Sequence, residues 1–201
     1  MRYYMFNKPK GCVTARRDFR HKTVMEYFPL EDRQKIFPIG RLDKDTEGFL
    51  IVTDDGKFCF HINEPEHRVE KTYRFYARGE ISEEKLRALE EGVRISQKDD
   101  KVTAPARVKL LGFSTMREIR HLINENEARL KHTRRGDIRV THIEITITEG
   151  KKHQVKLMAR AVGMYIVYLE RISIGGVALD PALKRGEFRP LTTSELALLN
   201  G

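Results

Sequence analysis

The sequence predicts a protein of the α+β class with a largely antiparallel sheet. Residues 71–78 and 143–148 alternate apolar and polar side chains, which is the pattern of strands with one buried face. Segments with helical spacing lie between the strands, but they do not form the regular strand–helix–strand series that predicts a parallel sheet. A chain of 201 residues is long enough for one large domain or for two small lobes that share a core.

The amino-terminal part predicts short strands separated by charged loops. Residues 3–6 are expected to form a strand that ends at the turn-forming run Asn-Lys-Pro-Lys-Gly. Residues 15–36 are dense in charge and are expected to cover the surface. The apolar run 48–53 fits a buried strand, and the Asp-Asp-Gly turn after it leads into a short helical segment around 58–62.

Two helices and a further strand are predicted in the remainder. Ser82 can cap one helix, with acidic residues in its first turn and Gly92 at its end. The other helix begins after Gly150 and ends at Gly163, with apolar residues on one face and basic residues four apart on the opposite face. Residues 165–174 then form an apolar strand.

The charge balance favours a polyanionic partner. Lys and Arg total 38 against 29 Asp and Glu, which gives a formal net charge of +9 and a pI near 9.6. Lys and Arg side chains that neutralise phosphates release condensed counterions, so a basic surface binds nucleic acid. An ordinary basic protein has the same composition, and charge alone leaves both interpretations open.

Several classes of protein and cofactor find no support in the sequence. Cys12 and Cys59 are too few for a disulfide framework, and the histidines lack the spacing of metal ligands. No phosphate-binding loop or dinucleotide fingerprint occurs, so we expect no nucleotide cofactor. No signal-peptide core or stretch near the ~20 apolar residues of a membrane-spanning helix is present. We therefore expect a cytoplasmic protein with no membrane segment, no metal and no cofactor.

The run from Gly40 to Gly56 carries the most specific functional pattern. It reads Gly-Arg-Leu-Asp, then Thr-Glu-Gly-Phe-Leu, then Thr-Asp-Asp-Gly, and it contains Arg41 and Asp43. This pattern resembles the catalytic motif of RNA pseudouridine synthases, most closely the branch named for the ribosomal small-subunit enzyme. The resemblance implies that Asp43 is the essential catalytic carboxylate and that Arg41 contacts RNA near the flipped base. Without the motif, a lone Asp in a turn is more often a cap or a solvated charge.

Two later segments resemble the other motifs of this family. Lys71-Thr72-Tyr73 matches a Lys-x-Tyr motif, in which Tyr73 would stack on the target uracil. The run from Glu149 to Met158 matches the third motif, and its Lys156 would pair with the catalytic carboxylate. The resemblance also places Leu169 against the active site. For Tyr73 and Leu169, packing in a core is the competing interpretation.

The resemblance extends nearly from end to end and implies a fold and a substrate. The fold would be the pseudouridine synthase fold, with residues 1–201 as one catalytic domain of two subdomains flanking a basic cleft. Lys71, Lys152 and Arg160 would bind the substrate, and a solvated basic helix face is the alternative for Lys152, Lys156 and Arg160. Isomerising uridine involves no net redox change, so no redox cofactor is required.

The expected partner is ribosomal RNA, bound by a monomer. Many relatives begin with a small extra RNA-binding module, whereas this sequence starts at the catalytic domain, which slightly favours large-subunit RNA. A basic insertion is predicted at 112–136, where Ser114 could cap a helix and the basic residues would contact RNA. A solvated helical hairpin is the alternative for this insertion.

Two alternative functions fit parts of the sequence. A non-catalytic RNA-binding or ribosome-assembly factor could use the same fold, because fold does not guarantee function. Intact Asp43, Tyr73 and Lys156 argue against it. A hydrolase using Asp43 and His153 has little support, because no Ser or Cys nucleophile motif accompanies them.

Overall fold

The computed structural model describes residues 1–96, 102–123 and 138–200, and it divides into two compact units. Unit 1 comprises Met1–Thr72, Thr148–Gly150 and Glu170–Gly201. Unit 2 comprises Tyr73–Ile147 and Lys151–Leu169. The α+β class predicted from the sequence is confirmed.

The secondary-structure elements follow one another without a regular strand–helix alternation. The strands are β1 (Tyr3–Lys8), β2 (Phe37–Ile39), β3 (Glu47–Thr53), β4 (Lys71–Arg78), β5 (Arg107–Thr115), β6 (Arg139–Ile147), β7 (Tyr165–Ile174), β8 (Val177–Ala178) and β9 (Phe188–Pro190). The α-helices are α1 (Leu30–Arg33), α2 (Gly56–Asn63), α3 (Glu83–Glu91), α4 (Gln154–Ala161) and α5 (Thr193–Asn200). Short 3₁₀ turns span Val24–Tyr27, Pro65–His67 and Arg120–Leu122.

Unit 1 is built around β3. The strand order is β7-β3-β1-β9, with β2 also paired to β3 and β8 to β7. β1 runs antiparallel to both β3 and β9, whereas β3 and β7 are parallel where Glu47 and Gly48 meet Glu170 and Arg171. The sheet is therefore mixed, with antiparallel pairing predominant.

The apolar run of β3 is buried along nearly its whole length. Every residue from Gly48 to Thr53 is buried, which explains why the run reads as continuously apolar rather than alternating. The chain then turns into α2, whose first backbone N–H groups, of Lys57 and Phe58, donate to the Asp55 carboxylate at 2.9 and 3.1 Å. The core of this unit consists of Met5, Ile39, Phe49, Ile51, Phe58, Ile62, Ile174, Val177, Leu191 and Leu199.

Unit 2 has the strand order β5-β6-β4-β7 and a core on one face of these strands. The alternation seen in β4 places Phe75 and Ala77 in that core and leaves Arg74 exposed. Ser82 caps α3 by accepting a hydrogen bond from the Lys85 N–H at 3.3 Å, as predicted. The core consists of Phe75, Ala77, Leu89, Ile143, Ile145, Ile147, Val155, Met158, Ala159, Met164 and Leu169.

The helix that Ser114 was expected to cap does not form. Ser114 belongs to β5, where it pairs with Val140 of β6, and the chain then makes a turn in which the Thr115 N–H donates to Glu118. Pairing with β6 overrides the local helix preference, because it satisfies the backbone along the whole strand. Residues 124–137, which carry most of the predicted basic insertion, lie outside the described part of the chain.

We expect Gly48→Ala to destabilise the protein by about 2–5 kcal/mol. Gly48 has a φ of +101°, and a Cβ there would lie 2.2 Å from the Arg171 carbonyl oxygen of the neighbouring strand. Urea denaturation measures the loss. Gly56→Ala is the matched control, since nothing lies within 4 Å of its added Cβ, and it should leave the stability unchanged or slightly raised. Equal midpoints for the two variants would contradict this account of Gly48.

Candidate active site

Asp43 lies in the segment of residues 40–46 that joins β2 to β3, which we call the Asp43 loop. The Asp43 side chain is half-buried, between exposed Arg41 and exposed Lys44. Leu42 between them is buried at 5% exposure and anchors the segment to the protein. A turn closes the loop, since the Thr46 N–H donates to the Asp43 carbonyl at 3.1 Å.

The Lys8 side chain holds the backbone of the Asp43 loop from inside. Lys8 is fully buried, and its Nζ donates to the carbonyl oxygens of Asp43 at 3.0 Å, Thr46 at 2.8 Å and Pro9 at 3.1 Å. Burial lowers the pKa of Lys8, while Cys12 and the nearby carboxylates, including Asp43, act in the opposite direction. The ammonium is therefore placed to fix the main chain at the predicted catalytic residue.

Thr14 and Gly11 secure the loop from a second segment. The Thr14 hydroxyl donates to the Leu42 carbonyl at 2.8 Å and accepts from the Leu42 N–H at 3.1 Å. The Gly11 N–H donates to the Lys44 carbonyl at 2.8 Å. The residues before and after Asp43 are thus both bonded to the segment that follows β1.

Lys71, predicted to bind substrate, lies inside unit 1. It is 9% exposed, and its Nζ lies 3.4 Å from the Ile62 carbonyl oxygen. Burial, and then the positive charge of Arg171, lower the pKa of Lys71 to about 8. An amine with this pKa exists in both protonation states near neutral pH, which an ordinary lysine does not.

Unit 2 carries the other predicted residues on β4, α4 and β7. Tyr73 is half-buried and packs against the core of unit 2, and Leu169 belongs to that core at 5% exposure. Lys156 is half-buried on α4, whereas Lys152 just before the helix and Arg160 in its last turn are exposed. The burial of Tyr73 and Leu169 is compatible with a packing role and with a role at the edge of a site, so their function stays a prediction.

The start of α4 has an unusual backbone conformation. His153 precedes the helix with a φ of +56°, in the left-handed region that non-glycine residues rarely occupy. The Gln154 side chain accepts a hydrogen bond from the Lys151 N–H at 2.9 Å and is itself buried. The His153 conformation and the Gln154 hydrogen bond together fix where α4 begins, and therefore the position of Lys156 on the helix. The predicted inner face, with Val155, Met158 and Ala159 in the core, is confirmed.

Sequence reasoning missed Lys8 and Thr14 as site residues. In the sequence Lys8 stands out only as part of a turn-forming run, because a lysine is normally solvated. The available signal was its position at the end of a strand and directly before a proline turn. Nothing local in the sequence marked Thr14, whose role depends on Leu42, 28 residues away.

Comparison with known proteins identifies the family. Residues 2–161 match the RNA pseudouridylate synthase family, and this range includes Asp43, Tyr73 and Lys156. The chain therefore belongs to the RNA pseudouridine synthases, the enzymes that isomerise uridine in RNA.

Within that family the chain resembles ribosomal small subunit pseudouridine synthase A. It is 35% identical to that protein of Escherichia coli (strain K12) over 196 residues, which are 98% of this chain and 73% of the relative. It is 44% identical over 199 residues, with the same coverage, to an uncharacterized RNA pseudouridine synthase of Bacillus subtilis (strain 168). A crystal structure of a pseudouridylate synthase matches with a TM-score of 0.80 at 34% identity, covering 98% of this chain and 73% of that one. The fold expected from the resemblance is confirmed.

Two further observations concern the described residues alone. No helix among them combines the length and the apolar character needed to cross a membrane. In the same residues, no group of three or more His, Cys, Asp or Glu side chains could hold a metal ion.

We expect Lys8→Met to lower the free energy of unfolding by about 2–4 kcal/mol, because three carbonyls, one of them buried and two part-buried, lose their shared donor. The rate of pseudouridine formation should also fall, since the backbone at Asp43 loses its support. A thermal melt followed by circular dichroism identifies a temperature at which the variant is folded. The rate of pseudouridine formation is measured at that temperature. Lys35→Met, at an exposed lysine of the same unit, serves as the control. A folded Lys8→Met variant with the wild-type rate would contradict the positioning role.

The lowered pKa of Lys71 predicts that stability rises with pH above 8. The folded state releases the Lys71 proton near pH 8, whereas the unfolded chain retains it up to the ordinary lysine pKa of 10.5. The unfolded state therefore binds more protons in this window, and the cost of burying the ammonium, up to about 3 kcal/mol, is progressively removed. Urea denaturation of wild type and Lys71→Met from pH 7 to 10.5 measures the free energy of unfolding of each protein. The difference between their pH dependences is the contribution of Lys71. Parallel stability curves for the two proteins would refute it.

Proposed function

We propose that the protein converts a specific uridine of ribosomal RNA to pseudouridine, with Asp43 as the essential carboxylate. The observation that carries the proposal is the support of the Asp43 loop. A buried ammonium and a threonine hydroxyl fix the backbone on both sides of one half-buried aspartate. Holding a reacting group in one geometry is a large part of what an active site contributes to catalysis.

The chemistry requires one carboxylate, one cation and one flat surface. The bond between ribose and the base nitrogen breaks, the uracil rotates, and a bond forms to carbon 5. Carbon 5 loses its proton and the released nitrogen gains one, so there is no net oxidation. Asp43 would act on the nucleoside as a nucleophile or as a base that removes a ribose proton. Lys156 would keep Asp43 ionised and oriented, as a point charge rather than a bidentate partner.

The remaining residues would hold the RNA. Tyr73 would stack on the uracil with Leu169 beside it, because the target base must leave its stack to react. Arg41, exposed next to Asp43, would contact the RNA near that base. Lys152 and Arg160 would bind phosphates, and both are exposed, as this role requires. Lys71 is buried, which argues against a direct contact between its ammonium and a phosphate.

The identity of the RNA rests on different support. The Escherichia coli relative is named for the small ribosomal subunit, which supports a ribosomal substrate. We propose a monomer that acts on ribosomal RNA in the cytoplasm. The mapping experiment identifies which ribosomal subunit contains the target uridine.

Asp43→Asn should abolish pseudouridine formation and leave RNA binding intact, because it removes the reacting carboxylate and changes little else. Pseudouridine mapping of ribosomal RNA from cells without the gene, complemented by wild type or by the variant, measures the activity. Filter binding measures the affinity for the RNA.

Asp45→Asn, at an exposed carboxylate of the same loop, is the control and should restore the modification. A site that disappears without the gene and returns only with wild type and the control identifies both substrate and residue. Substantial activity of Asp43→Asn would refute the assignment, and a map unchanged by loss of the gene would favour the non-catalytic RNA-binding alternative.

A further inference from the structure

Phe19 is the most exposed large hydrophobic side chain among the described residues. Its relative exposure is 106%, compared with 63% for Phe60 on α2. A ring that remains wholly in water gives up the stabilisation that burial provides. Single exposed apolar residues are common at protein surfaces, so the setting of Phe19 decides whether its exposure has a use. It lies within residues 15–22, which we call the Phe19 loop.

The Phe19 loop has a defined structure. At its base the Val13 N–H donates to the Lys22 carbonyl at 2.9 Å, and the Val24 N–H donates to the Val13 carbonyl at 3.0 Å. At its tip the Asp18 carboxylate accepts from the N–H groups of Arg20 and His21, both at 2.8 Å. These backbone hydrogen bonds lower the pKa of the Asp18 carboxyl, so it stays ionised in the turn. Phe19 thus projects from a built turn, and binding through it costs little conformational entropy.

Positively charged residues surround Phe19 in the sequence. The eight residues of the loop contain four cations and one carboxylate, and that carboxylate is bonded to the loop backbone. Arg17 lies two residues before Phe19 and Arg20 directly after it, and both side chains are exposed. An aromatic face between cations is the composition that binds unpaired nucleic acid, because bases stack on the ring while the cations meet the phosphates.

The base of the Phe19 loop is bonded to the Asp43 loop within unit 1. Thr14, the residue directly before the Phe19 loop, makes both of the hydrogen bonds to Leu42 described above. Phe19 follows Thr14 by five residues, so its Cα lies at most about 18 Å from that of Thr14. A nucleotide held at Phe19 would therefore be only a short distance along the RNA from one held at Asp43.

We propose that the Phe19 loop binds the RNA strand next to the reacting uridine, with the Phe19 ring stacked on an unpaired base. This inference rests on the proposed function and deepens it by assigning a second RNA contact. Removing a uridine from its stack leaves a neighbouring base without a stacking partner. A preformed aromatic ring replaces that lost stacking, while Arg17 and Arg20 contact the flanking phosphates.

The test compares Phe19→Ala, Phe19→Leu and Phe19→Trp in RNA binding and in turnover. The RNA probes are in vitro transcripts of small- and large-subunit ribosomal RNA. Affinity is measured by filter binding with Asp43→Asn in every variant, so that no RNA is modified during the assay. Pseudouridine formation is measured separately with the Asp43 enzymes. Phe60→Ala is the matched control, because it removes another exposed phenylalanine from unit 1.

Phe19→Ala should weaken RNA binding about tenfold to a hundredfold, the range found for loss of one base–aromatic stack. It should raise KM far more than it lowers kcat, because Phe19 does not touch the reacting atoms. Phe19→Trp should restore binding, whereas Phe19→Leu should not, since leucine has no ring face. The double variant Arg17→Gln, Arg20→Gln should flatten the slope of log affinity against log salt by about 1.4.

The inference and the proposed function can fail separately. If the wild-type enzyme modifies a transcript, and Phe19→Ala or Phe19→Leu binds it as tightly as Phe60→Ala does, the Phe19 contact is overturned while the function stands. If the wild-type enzyme modifies no ribosomal transcript, the proposed substrate is overturned whatever the binding comparison gives.

Discussion

The structure of unit 1 depends on an ammonium group enclosed by protein. Moving a charged amine out of water is costly, and the cost is recovered only if each of its N–H groups meets an acceptor. The Lys8 ammonium has three such groups, and three carbonyl oxygens lie within 3.1 Å of its nitrogen. The end of β1 supplies the ammonium, and the turn after it and the Asp43 loop supply the carbonyls, so the three segments must reach their positions together. The loop that carries Asp43 is therefore formed by the folding of the unit itself.

The sequence predicted those elements whose patterns repeat along the chain. β4 follows from the alternation around Phe75 and Ala77, and α4 from apolar residues at helical spacing. Both patterns reflect which face of a single strand or helix is buried. That face can be recognised from residues only a few positions apart in the sequence. For the same reason β3 was found from its apolar run alone, since a strand buried on both faces has little polar content.

The features that the sequence did not reveal depend on residues far apart in the chain. Thr14 and Leu42 are bonded across 28 positions, and Lys8 reaches Asp43 across 35. Ser114 has a favourable local signal for a helix, but a strand partner beginning at Arg139 determines its conformation. Tyr73 and Leu169 remain ambiguous for a different reason. A residue that lines a site and a residue that packs a core have the same sequence pattern, and their burial in unit 2 does not distinguish them.

Gly48 shows that a family signature carries two kinds of information. It stands only five residues after Asp43 in the same motif, yet its role is to let the backbone of Arg171 approach where no side chain fits. Chemistry constrains the aspartate, and strand geometry constrains the glycine. A descendant that lost its activity would be released from the first constraint and would remain bound by the second. Scoring the two positions separately would therefore distinguish active enzymes from inactive proteins that keep the fold. A search with the whole motif does not separate these two groups.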